Sequence, residues 1–407
     1  MKLVYQKFSP LSRSIALFLK ICYNLPMENK NLPQALMDYA AEGWAPFHMP
    51  GHKRSPHLGG GLPWQLDITE IAGFDNLSGP QGILLDLRRR AAAHWGAHDA
   101  WISVNGSTGA ILAGIRASTK CGDTVLVARN CHISVFHALE LRGLRPVFLE
   151  PEWLPAWGIY GALPQCTLDA ALCAHPGAAL CVVTSPTYEG ILSPLDCPIP
   201  LFVDAAHGAH LPLPRADLVA VSLHKTLPAL TQTALLLSRP RIDSDRISRE
   251  MRVFQTSSPS YVLLASVAHC LDLLESHQPE WFAAWHARLD AFYAHARHWR
   301  NLRLFDAPHD NSKLLIHCDA EHAAAHLRSQ KIEPEYARGN LLLLMTSCCD
   351  TDEAMARLTA ALDALDANCP PAPKPAPRPA PLPEDFLDDP SRWVVTYPPG
   401  VPLIPPA

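Results

Sequence analysis

The sequence predicts an α/β fold in which a mostly parallel sheet forms a large domain, followed by a smaller α+β domain. Between residues 101 and 237, apolar runs of strand length alternate with stretches of helical periodicity. This alternation is typical of a parallel sheet covered by helices on both faces. The chain has 407 residues, which is enough for one large domain and a second, smaller one. Ligand sites in such sheets lie at the carboxyl edge.

The elements predicted outside the sheet region follow from hydrophobic spacing. An amphipathic helix precedes the sheet and packs on its outside, and a second helix leads into the first strand. Long helices then connect the large domain to the C-terminal domain. These elements are helices over 32–41, 84–95, 262–274 and 279–300, and strands over 313–317 and 341–345.

The residues best suited to chemistry lie between 184 and 233, where two apolar runs of strand length each end on reactive side chains. Asp204 ends the first run, and Lys225 comes shortly after the second. Both runs have the length and composition of short buried strands. The sequence therefore predicts that Asp204 and Lys225 stand close together at the carboxyl edge of the sheet.

A buried lysine beside a buried acid fits the chemistry of pyridoxal phosphate. A lysine with a lowered pKa is a free amine at neutral pH and forms a Schiff base with an aldehyde. The pyridine ring of the cofactor withdraws electrons only while its nitrogen is protonated, and a carboxylate against that nitrogen keeps the proton there. Asp204 and Lys225 match these roles, whereas a buried ion pair that closes the strand ends is the structural alternative.

A phosphate-binding turn and an aromatic face are also available. The strand over 101–104 is followed by the glycine-rich turn 105–109 and then by a helix, and helix N-termini bind phosphate. His132, which follows another strand, offers a ring to cover the cofactor, although a histidine in this place is also a common core residue. The residues expected to bind the phosphate are Gly106, Ser107, Thr108, Ser222 and His224.

Nine motifs in this order resemble the Orn/Lys/Arg decarboxylase family, whose members have the type I fold of pyridoxal phosphate enzymes. They are HMPGHKR (48–54), DNLSGPQG (75–82), VNGSTGA (104–110), RNCHIS (129–134), TSPTYEG (184–190), VDAAHGAH (203–210), SLHKTLPALTQTA (222–234), QTSSPSY (255–261) and YPPGVPLIPP (397–406). The resemblance implies that Lys225 carries the Schiff base, that Asp204 pairs with the ring nitrogen and that His132 stacks on the ring. It implies a cofactor-binding set of Ser107, Thr108, Gly106, His207, Ser222 and His224 besides these three.

The family implies decarboxylation of a basic amino acid to its amine, which feeds polyamine metabolism, with arginine expected before lysine and ornithine. A cationic side chain requires an acid in the pocket; Glu70, Asp75 and Glu189 lie in loops that resemble the family. The alternatives are another reaction of the same fold, such as transamination or aldol cleavage, and a non-catalytic descendant that binds the cofactor. In fold type I dimers the neighbouring subunit contributes to the phosphate site, so Thr256, Ser257 and Ser258 are expected to serve a homodimer or larger assembly.

Composition excludes several other classes. The formal net charge of −5 offers no basic face for nucleic acid. The twelve cysteines show no CxxC pairs, which predicts a reducing, cytoplasmic setting without zinc. His48 and His52 do not form a helical metal pair, because Pro50 and Gly51 lie between them. The apolar run 15–19 is too short to cross a bilayer, so no membrane partner is expected.

The sequence divides into five predicted regions. Residues 1–26 are expected to be an extension outside the core, 27–275 the large cofactor-binding domain and 276–368 the smaller domain. Proline alternates with alanine and basic residues over 369–383, which predicts an extended surface linker. The tail 384–407 is expected to return toward the active site. It stops before the Gly-Glu that family members commonly carry, and the chain resembles the short form without an N-terminal wing domain.

Overall fold

The computed structural model describes residues 31–43, 46–50, 52–58, 60–383, 385–388, 394–396 and 399–403. The predicted N-terminal extension over 1–26 lies outside the described residues, as do 404–407 at the end of the predicted tail. In the part of the chain that the structure describes, no helix has both the length and the apolarity needed to cross a membrane.

The described residues form ten α-helices and fifteen strands, numbered in chain order. The helices are α1 Leu32–Ala41, α2 Ile83–Trp95, α3 Gly106–Ser118, α4 Ile133–Arg142, α5 Gln165–Ala174, α6 Leu223–Thr226, α7 Ser244–Phe254, α8 Tyr261–Ala296, α9 Ala320–Ser329 and α10 Asp352–Asp366. The strands are β1 Asp99–Ser103, β2 Thr124–Ala128, β3 Arg145–Leu149, β4 Trp153–Leu154, β5 Ile159–Tyr160, β6 Leu180–Thr184, β7 Leu201–Asp204, β8 Leu218–Ser222, β9 Ala234–Ser238, β10 Arg303–Leu304, β11 Lys313–His317, β12 Tyr336–Arg338, β13 Leu341–Met345, β14 Val394–Thr396 and β15 Val401–Leu403. Short 3₁₀ turns cover Pro56–Leu58 and Phe386–Asp388.

The central sheet has seven strands in the order β1-β9-β8-β7-β6-β2-β3. The pairs from β8 through β7, β6 and β2 to β3 are parallel, and β9 is antiparallel to both of its neighbours. The predicted α/β class with a mostly parallel sheet is therefore confirmed. All residues of β7 and β8 are buried, because helices cover this part of the sheet on both faces.

Close packing between α3 and the sheet sets the position of the helix that begins at the predicted phosphate turn. A Cβ atom at Gly114 would lie 2.4 Å from the Phe202 ring on β7. Only glycine permits this approach at position 114, so α3 lies directly against the strand that ends at Asp204. The contact fixes the N-terminus of α3 relative to the carboxyl edge of the sheet.

The smaller unit has a four-stranded antiparallel sheet in the order β10-β11-β13-β12, and its strands β11 and β13 have the predicted bounds. The helical region before it differs from the prediction: α8 continues through Pro279 instead of breaking into two helices. Pro279 leaves the carbonyl of Glu275 without its usual donor, and Glu275 is exposed, so that water can solvate this carbonyl. The N-terminal half of α8 packs on the large core and its C-terminal half on the small one.

Residues 370–383, which we call the proline segment, contain neither helix nor strand. The segment crosses the β4–β5 hairpin, where the left-handed Gly158 lets it approach closely. A Cβ atom at Gly158 would lie 2.8 Å from the backbone nitrogen of Ala376. Farther along, Arg378 Nη2 lies 3.1 Å from Glu150 Oε2. These contacts hold the segment against the large sheet unit.

Candidate active site

The carboxyl ends of the parallel strands open into a cavity of about 1230 Å³. The register pairs Thr184 with Asp204 and Asp204 with Ala220, so β7 lies between β6 and β8. The prediction that Asp204 and Lys225 follow neighbouring buried strands is confirmed. The cavity extends from this edge to β12 of the smaller sheet and to the proline segment.

Lys225 lies in α6, a single turn that follows β8 directly. Lys225 borders the cavity, and its Nζ lies 3.1 Å from His207 Nε2. Burial lowers the pKa of Lys225, and the carboxylates of Asp204 and Glu335 partly oppose this shift. A lysine with a lowered pKa in a largely buried place is suited to act as a nucleophilic amine.

Asp204 ends β7 with 2% of its surface exposed. One carboxylate oxygen accepts a hydrogen bond of 3.1 Å from the backbone N–H of Ala206. Burial raises the pKa of Asp204, whereas the nearby Lys225 lowers it. A carboxylate in this environment gains stability from a cation that enters the cavity, because a positive partner compensates for the lost hydration.

His132 is the N-cap of α4, and its ring borders the cavity. Its Nδ1 lies 2.8 Å from Ser134 Oγ and 3.2 Å from the Ser134 backbone nitrogen. Burial, followed by the charge of Lys225, lowers the pKa of His132 to about 4. The imidazole is therefore neutral near neutral pH, and its orientation is fixed by the cap.

The predicted phosphate turn forms the N-terminus of α3, where Gly106 has a φ of +66° and donates its N–H to the carbonyl of Gln232. Ser107 and Thr108 stand in the first turn of α3, where backbone N–H groups point away from the helix. His224 Nδ1 lies 3.0 Å from the Thr233 carbonyl oxygen. The cavity is bordered by Gly106, Ser107, Thr108, His224 and Gln232 but not by Thr233.

Ser222 lies behind the turn at the end of β8. It is fully buried, and its Oγ has no hydrogen-bond partner among the described residues. A hydroxyl in this position retains its capacity to donate one hydrogen bond. The predicted cofactor residues thus lie together, with Ser222 just outside the cavity surface.

The structure separates the three predicted substrate acids. Glu189 borders the cavity, and burial raises its pKa. Glu70 and Asp75 do not border it. Asp75 instead accepts hydrogen bonds from the backbone N–H groups of Gln81, Gly82 and Leu84, at distances of 2.8 to 3.2 Å. Its carboxylate therefore supplies the capping contacts of α2, whose N-cap residue is a glycine.

Replacement of Asp75 by alanine should lower the free energy of unfolding of the protein by about 2 kcal/mol, because several backbone N–H groups lose their acceptor. Urea denaturation of the apoprotein measures this loss. Asp86→Ala, at an exposed carboxylate in the first turn of α2, is the matched control and should change stability by less than about 0.5 kcal/mol. Equal losses in the two variants would contradict the capping role.

Thr256, Ser257 and Ser258 form an exposed loop between α7 and α8, and none of them borders the cavity of its own chain. The preceding residues anchor the loop beside the phosphate turn. Asn105 Nδ2 donates to the Phe254 carbonyl at 3.0 Å, and the Val104 N–H donates to Gln255 Oε1 at 3.0 Å.

Sequence reasoning did not identify several residues that border the cavity or lie directly behind it. The Tyr188 hydroxyl donates a hydrogen bond to Glu335, which precedes β12 in the smaller sheet unit. Lys313, on β11, is fully buried and contacts His207 from the side opposite Lys225. Both Glu335 and Lys313 come from the smaller unit, and no local pattern marks them. Further residues that border the cavity are Tyr160, Tyr336, Arg338, Lys374 and Arg378.

Comparison with known proteins identifies the family to which this chain belongs. A model of the family described as "Orn/Lys/Arg decarboxylase, major domain" matches residues 31–282, which is more than half of the chain. The chain belongs to the Orn/Lys/Arg decarboxylase family. The matched residues include β1 to β9 and thus the whole central sheet, at whose carboxyl edge Asp204 and Lys225 lie.

The chain is also similar to individual curated proteins and to a solved structure. The "Uncharacterized protein YaaO" of Bacillus subtilis is 37% identical over 271 residues, which are 59% of this chain and 55% of the relative. An arginine decarboxylase of Halalkalibacterium halodurans is 33% identical over 266 residues, 59% of this chain and 54% of that protein. The chain thus spans about half the length of these relatives. The lysine decarboxylase LdcF of Francisella novicida superposes with a TM-score of 0.71 at 19% identity, covering 88% of this chain and 62% of that one.

Members of this family and the structural neighbours are fold type I enzymes that depend on pyridoxal phosphate. The residues of this chain fit that cofactor. A buried carboxylate with one hydrogen bond suits a protonated ring nitrogen, and a lysine of lowered pKa suits an aldehyde. The buried Ser222 Oγ, which has no hydrogen-bond partner among the described residues, and the N-terminus of α3 suit a phosphate.

Proposed function

We propose that this chain decarboxylates a basic amino acid to its amine with the help of pyridoxal phosphate. The single observation that carries the proposal is the placement of Asp204 and Lys225 at adjacent strand ends in one cavity, with the N-terminus of α3 beside them. The family assignment supports the reaction, and the arginine decarboxylase relative supports a basic substrate. Arginine is the first expected substrate, ahead of lysine and ornithine, and the amine would feed polyamine metabolism.

The proposed roles follow from the environment of each residue. When bound, pyridoxal phosphate supplies an electron sink for the bond pair left behind as CO₂ departs. Lys225 Nζ would hold the cofactor covalently; once released, it would take up the proton that the substrate ammonium gives up and would deliver a proton to Cα. Asp204 holds the proton on the ring nitrogen. The neutral ring of His132 covers the cofactor face without adding a second positive charge beside Lys225.

The phosphate is proposed to bind at the start of α3, where Gly106, Ser107 and Thr108 offer backbone N–H groups and hydroxyls. Ser222 and His224 complete this end of the site. Thr256, Ser257 and Ser258 are exposed and do not border their own cavity, which suits a contribution to the phosphate site of a neighbouring subunit in a homodimer or larger assembly.

Glu335 is the acid best placed to bind the cationic end of the substrate. It borders the cavity, and its charge is close enough to Lys225 to oppose partly the lowering of the Lys225 pKa by burial. Glu189 also borders the cavity, but burial raises its pKa and favours its neutral form, although Arg338 acts in the opposite direction. A charge-assisted hydrogen bond requires an ionised acceptor, so the buried Glu189 is the poorer candidate.

Replacement of Glu335 by glutamine should therefore raise KM for the basic amino acid about 10- to 100-fold, the scale of a lost charge-assisted hydrogen bond. The value of kcat should change less, because the distal group lies away from the bond that breaks. Steady-state kinetics with whichever of arginine, lysine and ornithine the wild-type protein converts fastest measures both constants.

Glu333→Gln is the matched control for this prediction. Glu333 lies two residues away, is exposed, and pairs with Arg328 on α9 at 2.7 Å instead of facing the cavity. Its replacement should leave KM unchanged. A KM that stays at the wild-type value in Glu335→Gln would move the role to Glu189.

The reaction itself is tested with purified protein, pyridoxal phosphate and each of arginine, lysine and ornithine. Release of CO₂ together with the corresponding amine supports decarboxylation. Transfer of the amino group to an added keto acid, or aldol cleavage of a β-hydroxy amino acid, without CO₂ would support another reaction of the same fold. Binding of the cofactor without any turnover would support a non-catalytic descendant.

We propose that the protein works as a homodimer or larger assembly in the cytoplasm. Several large apolar side chains between residues 47 and 62 are exposed, including Phe47, Met49, Leu58 and Leu62. Their exposure favours burial of this surface against a second copy of the chain. The described cysteines are all free, in keeping with a reducing compartment.

The proposed domains are 27–275 and 276–368, followed by the linker 369–383 and the tail 384–407.

A further inference from the structure

Thr184 ends β6 at the carboxyl edge of the central sheet and begins the TSPTYEG motif, yet it has no role in the proposed function. The residue borders the cavity. Its Oγ1 is buried and has no hydrogen-bond partner among the described residues. Because a buried hydroxyl without a partner is costly, this group is available to a molecule that fills the cavity.

The other groups beside the Thr184 hydroxyl are engaged or are weak partners. Thr187 Oγ1 and the Tyr188 hydroxyl, which border the cavity in the same motif, each donate a hydrogen bond to a glutamate side chain. Burial raises the pKa of the Cys131 thiol to about 12, which the nearby Thr184 hydroxyl offsets only in part. The thiol is therefore neutral near neutral pH, and a neutral thiol is a weak acceptor.

Thr184 and Asp204 lie on the same face of the sheet. The register pairs the two residues, and directly paired residues of neighbouring strands point to the same face. Phe202, two residues before Asp204, points to this face as well, and its ring lies against Gly114 of α3. The N-terminus of α3, the Asp204 carboxylate and the Thr184 side chain are therefore on one side of the sheet.

The strand order places Thr184 and the proposed phosphate site on opposite sides of Asp204. β7, which Asp204 ends, lies between β8 and β6. Ser222 ends β8, and the Gly106 N–H at the start of α3 is bound to the carbonyl of Gln232, just before β9. The phosphate groups thus stand on the β8 and β9 side, whereas Thr184 stands on the β6 side.

The substituents of pyridoxal phosphate match this arrangement. Its phosphate arm and its 3-oxygen lie on opposite sides of the line from the ring nitrogen to the aldehyde carbon. With the nitrogen at Asp204, the aldehyde carbon at Lys225 and the phosphate at the start of α3, the 3-oxygen faces β6. We propose that Thr184 is a further cofactor-binding residue whose hydroxyl donates a hydrogen bond to this 3-oxygen. The inference rests on the proposed function and extends its cofactor site.

The test compares how tightly the apoprotein binds pyridoxal phosphate and 3-deoxypyridoxal phosphate, which lacks the 3-oxygen. Thr184→Val keeps the branched shape and removes the hydroxyl. It should weaken the binding of pyridoxal phosphate about 10-fold, the scale of one hydrogen bond to a charged oxygen. Binding of the 3-deoxy compound should change by less than about twofold, because the lost contact is absent from the start.

Two further variants serve as controls. Thr184→Ser keeps the hydroxyl and should retain the wild-type preference for pyridoxal phosphate. Ser238→Ala removes another buried hydroxyl without a described partner, at the opposite edge of the same sheet beside the first residue of β8, and should change neither affinity. Should Thr184→Val not fold, Thr184→Ala removes the same group with a smaller side chain. Equal weakening for both compounds, or none for either, would overturn the proposed contact.

His207 is the rival donor for the 3-oxygen, because its Nε2 lies 3.1 Å from Lys225 Nζ. A preference for pyridoxal phosphate that is lost in His207→Phe and kept in Thr184→Val would assign the contact to His207 instead. Loss of the preference in Thr184→Val supports Thr184 whatever the histidine variant does, since the 3-oxygen can accept more than one hydrogen bond.

A second readout is the absorbance of the attached cofactor as a function of pH. A donor at the 3-oxygen stabilises its ionised form and weakens its hold on the proton that it shares with the Lys225 nitrogen. In Thr184→Val this proton should be lost at higher pH, with the midpoint raised by about one unit, and Thr184→Ser should restore the midpoint. A midpoint that is the same in all variants would contradict the hydrogen bond.

The fate of this inference is separable from that of the proposed function. If wild-type protein attaches pyridoxal phosphate at Lys225 while Thr184→Val binds and titrates like wild type, only the role of Thr184 fails. If the wild-type protein attaches no cofactor, the proposed function fails, and the cofactor contact of Thr184 fails with it.

Discussion

Replacement of Lys225 by alanine should abolish covalent attachment of pyridoxal phosphate and reduce CO₂ release by at least about 10³-fold, the scale on which the loss of a covalent nucleophile acts. The reason is that Lys225 carries the amine at the end of β8 that borders the cavity, beside Asp204. Lys313, the other buried lysine nearby, lies behind His207 and does not border the cavity, so it does not replace the missing amine.

Borohydride reduction followed by peptide mass spectrometry measures this attachment directly. The wild-type protein should carry the reduced cofactor on the peptide that contains Lys225, and Lys225→Ala should carry none. Lys120→Ala, at an exposed lysine, is the control and should retain the modified peptide in full. A cofactor adduct that persists on another lysine in Lys225→Ala would remove Lys225 from its proposed role.

Replacement of Asp204 by asparagine should lower kcat about 10²- to 10⁴-fold while the protein stays folded. The amide keeps the size of the side chain and still accepts from the Ala206 N–H, but it lacks the negative charge that keeps the ring nitrogen protonated. Single-turnover measurement of CO₂ release separates this loss from any change in substrate binding. Cofactor attachment at Lys225 should persist, which distinguishes the effect from that of Lys225→Ala.

Asp217→Asn is the matched control for Asp204→Asn. Asp217 lies at the opposite edge of the same strands, where its Oδ2 accepts from the Leu201 N–H at 2.9 Å. The substitution removes a carboxylate that lies just before β8 and contacts the start of β7, at the end remote from the cavity, and kcat should stay within about twofold of wild type. Similar losses in both variants would indicate that the effect comes from the sheet and not from the site.

The sequence is sufficient to predict the parts of the site that follow from local pattern. Short apolar runs mark β7 and β8, and the residues at their ends fall at the same edge because parallel strands share a direction. The start of α3 is likewise visible, since a glycine-rich turn between a strand and a helix leaves a characteristic spacing. These elements depend on residues that are close in the chain.

The contributions of the smaller unit could not be predicted in this way. His207 and Lys313 are 106 residues apart, and their contact depends on how two sheets pack, which no periodicity records. Asp75 shows the converse difficulty, because a carboxylate that caps a helix looks the same in sequence as one that binds a substrate. Pro279 is a strong breaker in sequence, yet packing of α8 on both cores outweighs the loss of one hydrogen bond.

The composition of the proline segment lowers the entropic cost of ordering the rim of the cavity, which this segment helps to form. Proline restricts the unfolded chain, so placing residues 370–383 across the β4–β5 hairpin costs less conformational freedom than ordering a segment of ordinary composition. The rim is therefore maintained by few specific contacts, chiefly the close approach at Gly158 and the Arg378–Glu150 ion pair. Changes in this segment would alter the width of the entrance while leaving the strand ends that hold Asp204 and Lys225 untouched.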